Sequence, residues 1–218
     1  MLLFDIGANR GDATLAGIQK GYKVVAVEPS RVYTELVKNF IYNPDVVPLK
    51  YAVSDTDYER VEFYEAQEDG LSTLNVDWLT KETMPYNGKP FVTSQATTIT
   101  IDTLVKKYGE PDLMKIDVEG AEWKVFMGMT KKYGTLTFEW TEATLDEHEM
   151  QLQYLANLGY TEIGPQFIVQ HLQEPQFWYP IDSLRHWRSP LRVQDWEKEE
   201  WKIAGLRSTA DVGMVWVR

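Results

Sequence analysis

The sequence predicts an α/β fold with a doubly wound, mostly parallel sheet, and three observations lead to it. Short apolar runs alternate with segments of helical periodicity through the first two thirds of the chain. A glycine-punctuated turn follows the first apolar run, and a valine-rich run near the C terminus is typical of a buried closing strand. We therefore expect helices on both faces of the sheet and a ligand site at the carboxyl ends of its strands.

The predicted elements alternate along the chain, and two longer regions interrupt them. Strands are expected over residues 2–6, 23–28, 47–53, 61–65, 97–101, 112–117, 134–140 and 212–217, and helices over residues 12–20, 30–41, 102–108, 120–128 and 146–158. Residues 66–96 are polar and rich in turn residues, whereas residues 164–211 hold many tryptophans and prolines and a predicted charged helix near 194–204. Because both are too long for ordinary connections, we expect them to carry substrate specificity.

Composition narrows the class of protein. The 218 residues, 44% of them hydrophobic, predict one soluble globular domain. The net charge of −11 argues against binding to nucleic acid or to an anionic membrane, although Arg185, Arg188 and Arg192 form either a local basic groove or, more simply, a solvated face. The lack of cysteine excludes disulfides and thiol catalysis, and we expect a cytoplasmic protein. Because the chain begins almost on its first strand, it is either a compact variant or one domain of a larger polypeptide.

The opening turn indicates the class of ligand. Residues Phe4 to Asp12 run from a strand through Gly7 and Gly11 into a helix, which lets the backbone approach a nucleotide-like ligand. Asn9 stands where a dinucleotide site needs its second glycine, and the Lys-Ser/Thr pair of a Walker loop is missing. The Asp5 carboxylate at the strand end would repel a pyrophosphate but suits an ammonium group. We therefore expect S-adenosylmethionine rather than a dinucleotide.

Two further strand ends carry polar residues suited to the rest of such a ligand. Glu28 ends the second strand, where a carboxylate can accept both hydroxyls of an adenosine ribose; a surface glutamate before a helix is the alternative. Ser54 and Asp55 close the third strand and are candidates to meet the adenine amino group, although Ser-Asp is also a plain turn sequence.

The most polar strand end is that of residues 112–117. Asp117 and Glu119 flank the expected position of the ligand's reactive end, and a polar run at the end of a buried strand is costly unless it is used. Glu122 has the alternative role of a charge in the first turn of a helix. This strand end therefore predicts the catalytic residues.

These four stretches, in this order, resemble the FkbM-type family of S-adenosylmethionine-dependent methyltransferases. The family's F-D-x-G-A-N-x-G, E-P, A-V-S-D and K-I-D-V-E-G-A-E patterns match Phe4 to Gly11, Glu28-Pro29, Ala52 to Asp55 and Lys115 to Glu122. The similarity covers about residues 3–140. It implies the seven-stranded, Rossmann-like class I methyltransferase fold with an antiparallel last strand. It also implies methyl transfer to oxygen, often on a sugar or natural-product hydroxyl.

The resemblance and the residues together predict one methyltransferase domain over residues 1–218. Its cofactor half spans about 1–140, and acceptor-specificity insertions span 66–96 and 141–211. The expected cofactor contacts are Asp5, Gly7, Asn9, Gly11, Asp12, Glu28, Ser54, Asp55, Ser72 and Asp117, of which Ser72 lies on a loop that the resemblance places beside the cofactor. The candidates to orient the acceptor or take its proton are Asp117 and Glu119, followed by Lys115, Glu139 and His148.

The acceptor is expected to be a small molecule or a glycan. Flat apolar faces for a sugar ring are available from Trp78, Trp140, Trp178 and Trp187, although a core position is the simpler role for any one of them.

A metal ion and two other functions are the alternatives. A Mg²⁺ site of Asp117, Glu139 and Glu142 is conceivable, but capping or solvent exposure explains Glu142 equally, and no metal ligand is assigned. The three histidines, including His171 and His186, lack metal-ligand spacing. A nicotinamide-dependent oxidoreductase conflicts with the acidic, glycine-poor opening turn. A binding module that has lost catalysis conflicts with the intact acidic strand ends.

Overall fold

A computed structural model describes residues 1–141, 144–166, 172–175, 177–184 and 212–218. The strands are β1 (Leu2–Ile6), β2 (Lys23–Val27), β3 (Val46–Leu49), β4 (Ala52–Val53), β5 (Arg60–Ala66), β6 (Phe91–Ile99), β7 (Leu113–Ile116), β8 (Thr135–Thr141), β9 (Glu162–Gln166), β10 (Tyr179–Pro180) and β11 (Val212–Val217). The helices are α1 (Asp12–Gln19), α2 (Tyr33–Phe40), α3 (Asp77–Thr80), α4 (Ile101–Tyr108), α5 (Glu122–Met127) and α6 (Leu145–Leu158), and a 3₁₀ turn spans Ile181–Leu184. Within this described part, no helix is long and apolar enough to cross a membrane.

The central sheet confirms the predicted fold class. Within the described residues, its eight strands lie in the order β10-β9-β11-β8-β7-β1-β2-β3, and the five strands from β8 to β3 run parallel to one another. The last strand, β11, lies antiparallel between β8 and β9, as expected. The sheet has one strand more than the expected seven because the two-residue β10 pairs with the edge of β9.

A second, three-stranded sheet explains where the predicted elements were wrong. The predicted strand 47–53 is two strands, because the chain leaves the central sheet after Leu49 and re-enters a separate sheet at Ala52. There β4 pairs with β6, which forms an antiparallel hairpin with β5 in register from Arg60↔Thr97 to Ala66↔Phe91. Much of region 66–96 is therefore ordered structure: it contains α3 and more than half of β6.

The central sheet has apolar cores on both faces, because successive side chains of a strand point to opposite sides. Phe4 and Ile6 of β1 belong to one core together with α4, α5 and α6 residues. Leu3 of the same strand belongs to the other core, which α2 closes with Leu36 and Phe40. Asp5 therefore shares the face of Leu3, on the α1 side of the sheet.

Several predicted features lie outside the described residues. They are the charged helix near 194–204, the arginines Arg185, Arg188 and Arg192, the histidines His171 and His186, the tryptophans Trp187, Trp196 and Trp201, and Glu142.

Candidate active site

A cavity of about 310 Å³ lies at the carboxyl ends of β1, β2 and β7. Its volume is within the range of small-ligand sites, which is roughly 300–1,000 Å³. The loop that follows β5 contributes Asp69, Gly70, Ser72 and Leu74 to its wall. The polar residues of the lining are Asn9, Arg10, Asp12, Glu28, Ser30, Asp69, Ser72, Lys115, Asp117 and Glu119. Most of the predicted site residues thus meet in one cavity.

The turn after β1 is clamped between two neighbouring strands. The backbone N–H groups of Gly7 and Ala8 both donate to the Val27 carbonyl at the end of β2, at 3.0 Å each. On the other side, a Cβ at Gly7 would lie 1.8 Å from the Asp117 carbonyl oxygen, and the φ of Gly7 is +74°. Only glycine fits this position. Asn9 follows with a φ of 49°, a left-handed conformation that asparagine tolerates better than most residues.

The second glycine of the turn has a different role. A Cβ at Gly11 would lie 2.2 Å from the Phe40 ring, so this glycine lets α1 pack closely against α2. Gly11 is not among the residues that line the cavity. The contact that the structure shows for Gly11 is therefore a packing contact that shapes the turn.

Glu28 ties the turns after β1 and β2 together. Its carboxylate is buried, with Oε2 accepting from the Asn9 N–H at 2.9 Å and Oε1 accepting from the Ser30 N–H at 2.8 Å. Each oxygen of an ionised carboxylate accepts a second hydrogen bond, so both remain able to accept from a hydroxyl in the cavity. This geometry fits the predicted recognition of a ribose.

Asp5 lies behind the cavity wall. It is fully buried, its Oδ2 accepts from the Thr14 hydroxyl of α1 at 2.6 Å, and its Oδ1 lies 3.7 Å from Lys115 Nζ. Strand alternation places this carboxylate on the α1 face rather than toward the ligand space. Asp5 is thus not among the residues that line the cavity.

The strand end at β4 also differs from the expectation. Ser54 is buried, and its hydroxyl donates to Asp55 Oδ1 at 2.9 Å. Neither residue lines the cavity; Tyr51, Ala52 and Val53 do so instead. The surfaces offered to an adenine here are therefore an aromatic ring and small apolar side chains. By contrast, Ser72 lines the cavity as predicted, with its Oγ accepting from the Ala66 N–H at 3.1 Å.

Lys115 is a buried cation in the cavity wall. Its ammonium donates to the Gly7 carbonyl at 3.0 Å and lies 3.2 Å from Asp117 Oδ2. Burial disfavours its charged form, but the attraction of Asp117 and Asp5 outweighs this effect and raises its pKa. Lys115 therefore holds the Gly7 turn and the Asp117 carboxylate together.

Glu119 is held by a residue from region 66–96. Its backbone is left-handed, with a φ of 58°, and its Oε2 accepts from the Trp78 indole N–H at 2.9 Å. The Trp78 ring covers Gly120, where a Cβ would lie 2.5 Å from a ring carbon. Asn75 secures the same contact by donating to the Gly120 carbonyl at 2.9 Å. Trp78 is buried, so it positions Glu119 and is not an open face for a sugar ring.

Three carboxylates converge at the end of the cavity. Asp117, Glu119 and Glu139 each offer one oxygen, and these oxygens lie within 4.8 Å of one another. Asp117 and Glu119 line the cavity, whereas Glu139, on β8, lies outside its lining. Burial and the neighbouring Asp117 carboxylate raise the pKa of Glu119 and of Glu139 well above their usual range. Nearby, burial raises the pKa of Glu122 to about 7.

An ion-paired clasp over the cavity was not foreseen from the sequence. The Arg31 guanidinium donates to the Ala66 carbonyl at 2.7 Å, to the Gln67 carbonyl at 2.9 Å and to Asp69 Oδ1 at 2.9 Å. Arg10 pairs with Asp69 from the other side. This clasp, formed by Arg10, Arg31 and Asp69, holds the loop after β5 over the turn after β1. Its partners are far apart in sequence, so no local pattern marks them.

The sequence and the structure were compared with those of known proteins. The sequence matches the model of the methyltransferase FkbM domain over residues 5–162, while no curated protein matches it. Similar solved structures include a precorrin-6y C5,15-methyltransferase from Geobacter metallireducens, at 10% identity, a TM-score of 0.41, and coverage of 100% of this chain and 80% of that chain. They also include the glycopeptide N-methyltransferase MtfA complexed with sinefungin, at 9% identity, a TM-score of 0.39, and coverage of 100% and 79%. The match spans most of the chain and contains the four motifs of the site apart from Phe4, so the protein belongs to the FkbM methyltransferase family.

Proposed function

We propose that this methyltransferase transfers the methyl group of S-adenosylmethionine to a hydroxyl of a sugar or glycan acceptor. The observation that carries the proposal is the polarity of one continuous cavity. Glu28 and Asn9 lie at one part of its wall, suited to a ribose, and Asp117 and Glu119 lie at another, suited to a hydroxyl. A carboxylate-lined acceptor end favours a neutral polyol, whose hydroxyls donate, over an anionic acceptor.

The residues that would hold the cofactor are those of the cavity wall. Glu28 would accept the ribose hydroxyls, the Tyr51 to Val53 segment would cover the adenine, and the Gly7 turn would lie along the methionine part. When bound, S-adenosylmethionine supplies an electrophilic methyl group whose transfer leaves the C–S electron pair on sulfur.

The protein's own task is to orient the acceptor oxygen and accept its proton. An alcohol is a weak acid, and an ordinary carboxylate is a poor base for it. The burial that raises the pKa of Glu119 makes it a stronger base than an exposed glutamate, and Trp78 holds its carboxylate in place. Glu119 therefore takes the proton, and Asp117 orients the acceptor.

Calorimetry with S-adenosylhomocysteine and with NAD tests the cofactor. Binding of the former alone is expected, whereas binding of NAD alone would refute the proposal. Incubation with labelled S-adenosylmethionine and panels of glycans, small-molecule phenols, amines, proteins and RNA then tests the acceptor. Label on glycan or glycoside hydroxyls is the expected result. Label confined to phenols or amines would refute the sugar acceptor and indicate a small natural product instead. Label on protein or RNA would refute a small-molecule or glycan acceptor altogether.

The matched variants are Glu119→Gln and Glu110→Gln. The first keeps an acceptor for the Trp78 indole but removes the base, so turnover should fall by a factor of about 100 or more. Glu110 pairs with Lys131 at the surface, before β7 begins, and its variant should retain full turnover. Equal turnover in the two variants would remove Glu119 from the mechanism.

A further inference from the structure

We propose that Asp117, Glu119 and Glu139 bind one divalent cation of the Mg²⁺ or Mn²⁺ type at the acceptor end of the cavity. The binding of the cation is independent of the proposed function, whereas its use in catalysis rests on it. The three carboxylates come from the end of β7, from the turn before α5 and from β8, so separate elements of the fold bring them together.

The spacing of the three oxygens suits a single ion. Oxygen ligands lie at roughly 2.0–2.6 Å from Mg²⁺ or Ca²⁺, so two oxygens on one ion are about 3–5 Å apart. One oxygen from each of the three carboxylates falls within 4.8 Å of the others. Carboxylate oxygens prefer hard divalent cations such as Mg²⁺ and Mn²⁺.

An unsatisfied atom in the cluster is the second, independent observation. Glu139 Oε2 is buried and has no hydrogen-bond partner among the residues that the structure describes. The other two carboxylates each have a partner, since Trp78 donates to Glu119 and Lys115 pairs with Asp117. A buried carboxylate oxygen without a donor is costly, and a cation in the cluster would satisfy it.

The net charge of the cluster also favours a bound cation. Within the described part of the chain, Lys115 is the one cationic side chain in ion-pair contact with these carboxylates. Its ammonium also lies near Asp5 and donates to the Gly7 carbonyl, so it is shared with groups outside the cluster. Three carboxylates against one shared cation leave a local excess of negative charge that a divalent ion neutralises.

The position of the cluster gives the ion a role. Because Asp117 and Glu119 line the cavity while Glu139 stands outside its lining, a bound cation keeps an open side toward the acceptor space. There it would lower the pKa of an acceptor hydroxyl and, for two adjacent hydroxyls, bind both. The balance of the transfer is unchanged: the C–O bond forms as the C–S bond breaks, the electron pair stays on sulfur, and the hydroxyl proton passes to the Glu119 carboxylate, which offers the ion only one of its two oxygens.

Titration of the metal-free chain with Mn²⁺, followed by the paramagnetic resonance signal of the free ion, tests the site directly. One site is expected, and Mg²⁺ should compete for it. Glu139→Gln should weaken Mn²⁺ binding by a factor of about 10 or more, and Glu110→Gln should not change it. Absence of a specific site in the wild type, or equal affinity in Glu139→Gln, would overturn the proposal.

A separate readout keeps the two proposals distinguishable. Glu139 does not line the cavity, so Glu139→Gln should bind S-adenosylhomocysteine as tightly as the wild type, which also shows that the variant is folded. If it does not fold, Glu119→Gln, which retains an acceptor for Trp78, should show the same loss of Mn²⁺ affinity. Mn²⁺ binding without S-adenosylhomocysteine binding would refute the proposed function and leave the cation site standing.

Discussion

Replacement of Lys115 by methionine tests how the buried charges hold the site together. Lys115 is 7% exposed and pairs with Asp5, whose side chain is fully buried, and with Asp117, whose side chain is 26% exposed. Methionine keeps the length of the side chain but leaves the Asp5 carboxylate without a cation. Removal of one partner of a buried pair costs about 3–5 kcal/mol. Water reaches Asp117, so most of this cost should come from Asp5.

A second substitution shows how much of the lost free energy of unfolding comes from Asp5. Asp5→Asn removes the stranded charge yet retains an oxygen to accept from the Thr14 hydroxyl. The double variant should therefore recover about half or more of the loss, roughly 2 kcal/mol. Urea unfolding of the wild type, both single variants and the double variant measures these differences. A loss below about 1 kcal/mol in Lys115→Met, or no recovery in the double variant, would refute the interpretation of Lys115 as the counter-ion of Asp5.

Three further predictions concern the turn, the clasp and the buried histidine. Gly7→Ala should abolish S-adenosylhomocysteine binding, whereas Gly21→Ala, which has a similar positive φ but no atom within 4 Å of its Cβ, should bind normally; equal behaviour would refute the steric argument. Arg31→Ala should speed cofactor release at a stability cost of less than about 1 kcal/mol, because the ion pairs of the clasp are exposed; an unchanged release rate in stopped flow would contradict this. Burial lowers the pKa of His148 to about 4, so protonation of the unfolded chain below pH 6.5 destabilises the native state. Between pH 7 and pH 5 the wild type should lose about 2 kcal/mol relative to His148→Gln in urea unfolding, and parallel losses would refute it.

The sequence predicts the parallel core of the sheet well, because β1, β2, β7 and β8 are buried on both faces and read as apolar runs. It misses β9, which contains Gly164 and Pro165 and depends on pairing with the distant β11. It also misses most of β6, because Thr93 and Gln95 are polar and exposed, as residues of a loop usually are. In each case, partners far along the chain decide the structure.

The sequence predicts a residue of the cavity wall when the residue's position in a motif determines the direction of its side chain or backbone. Gly7, Glu28 and Asp117 all lie in the cavity wall as expected. Asp5 lies behind the cavity wall, and the alternation of β1 predicts this direction, since Asp5 lies between Phe4 and Ile6, which share one core. The contact of Trp78 with Glu119 joins residues 41 positions apart, and no periodicity reveals it.

The contact between Trp78 and the turn at Gly120 has a consequence for engineering. Region 66–96 supplies the side chain that orients Glu119 and fills the space above Gly120. Residues 66–96 therefore cannot be exchanged between family members without keeping this contact. A chimera that imports another family member's segment over residues 66–96 has to carry an indole at the position of Trp78. Without it, the graft leaves a void over Gly120 and leaves the Glu119 carboxylate without the hydrogen bond from the indole.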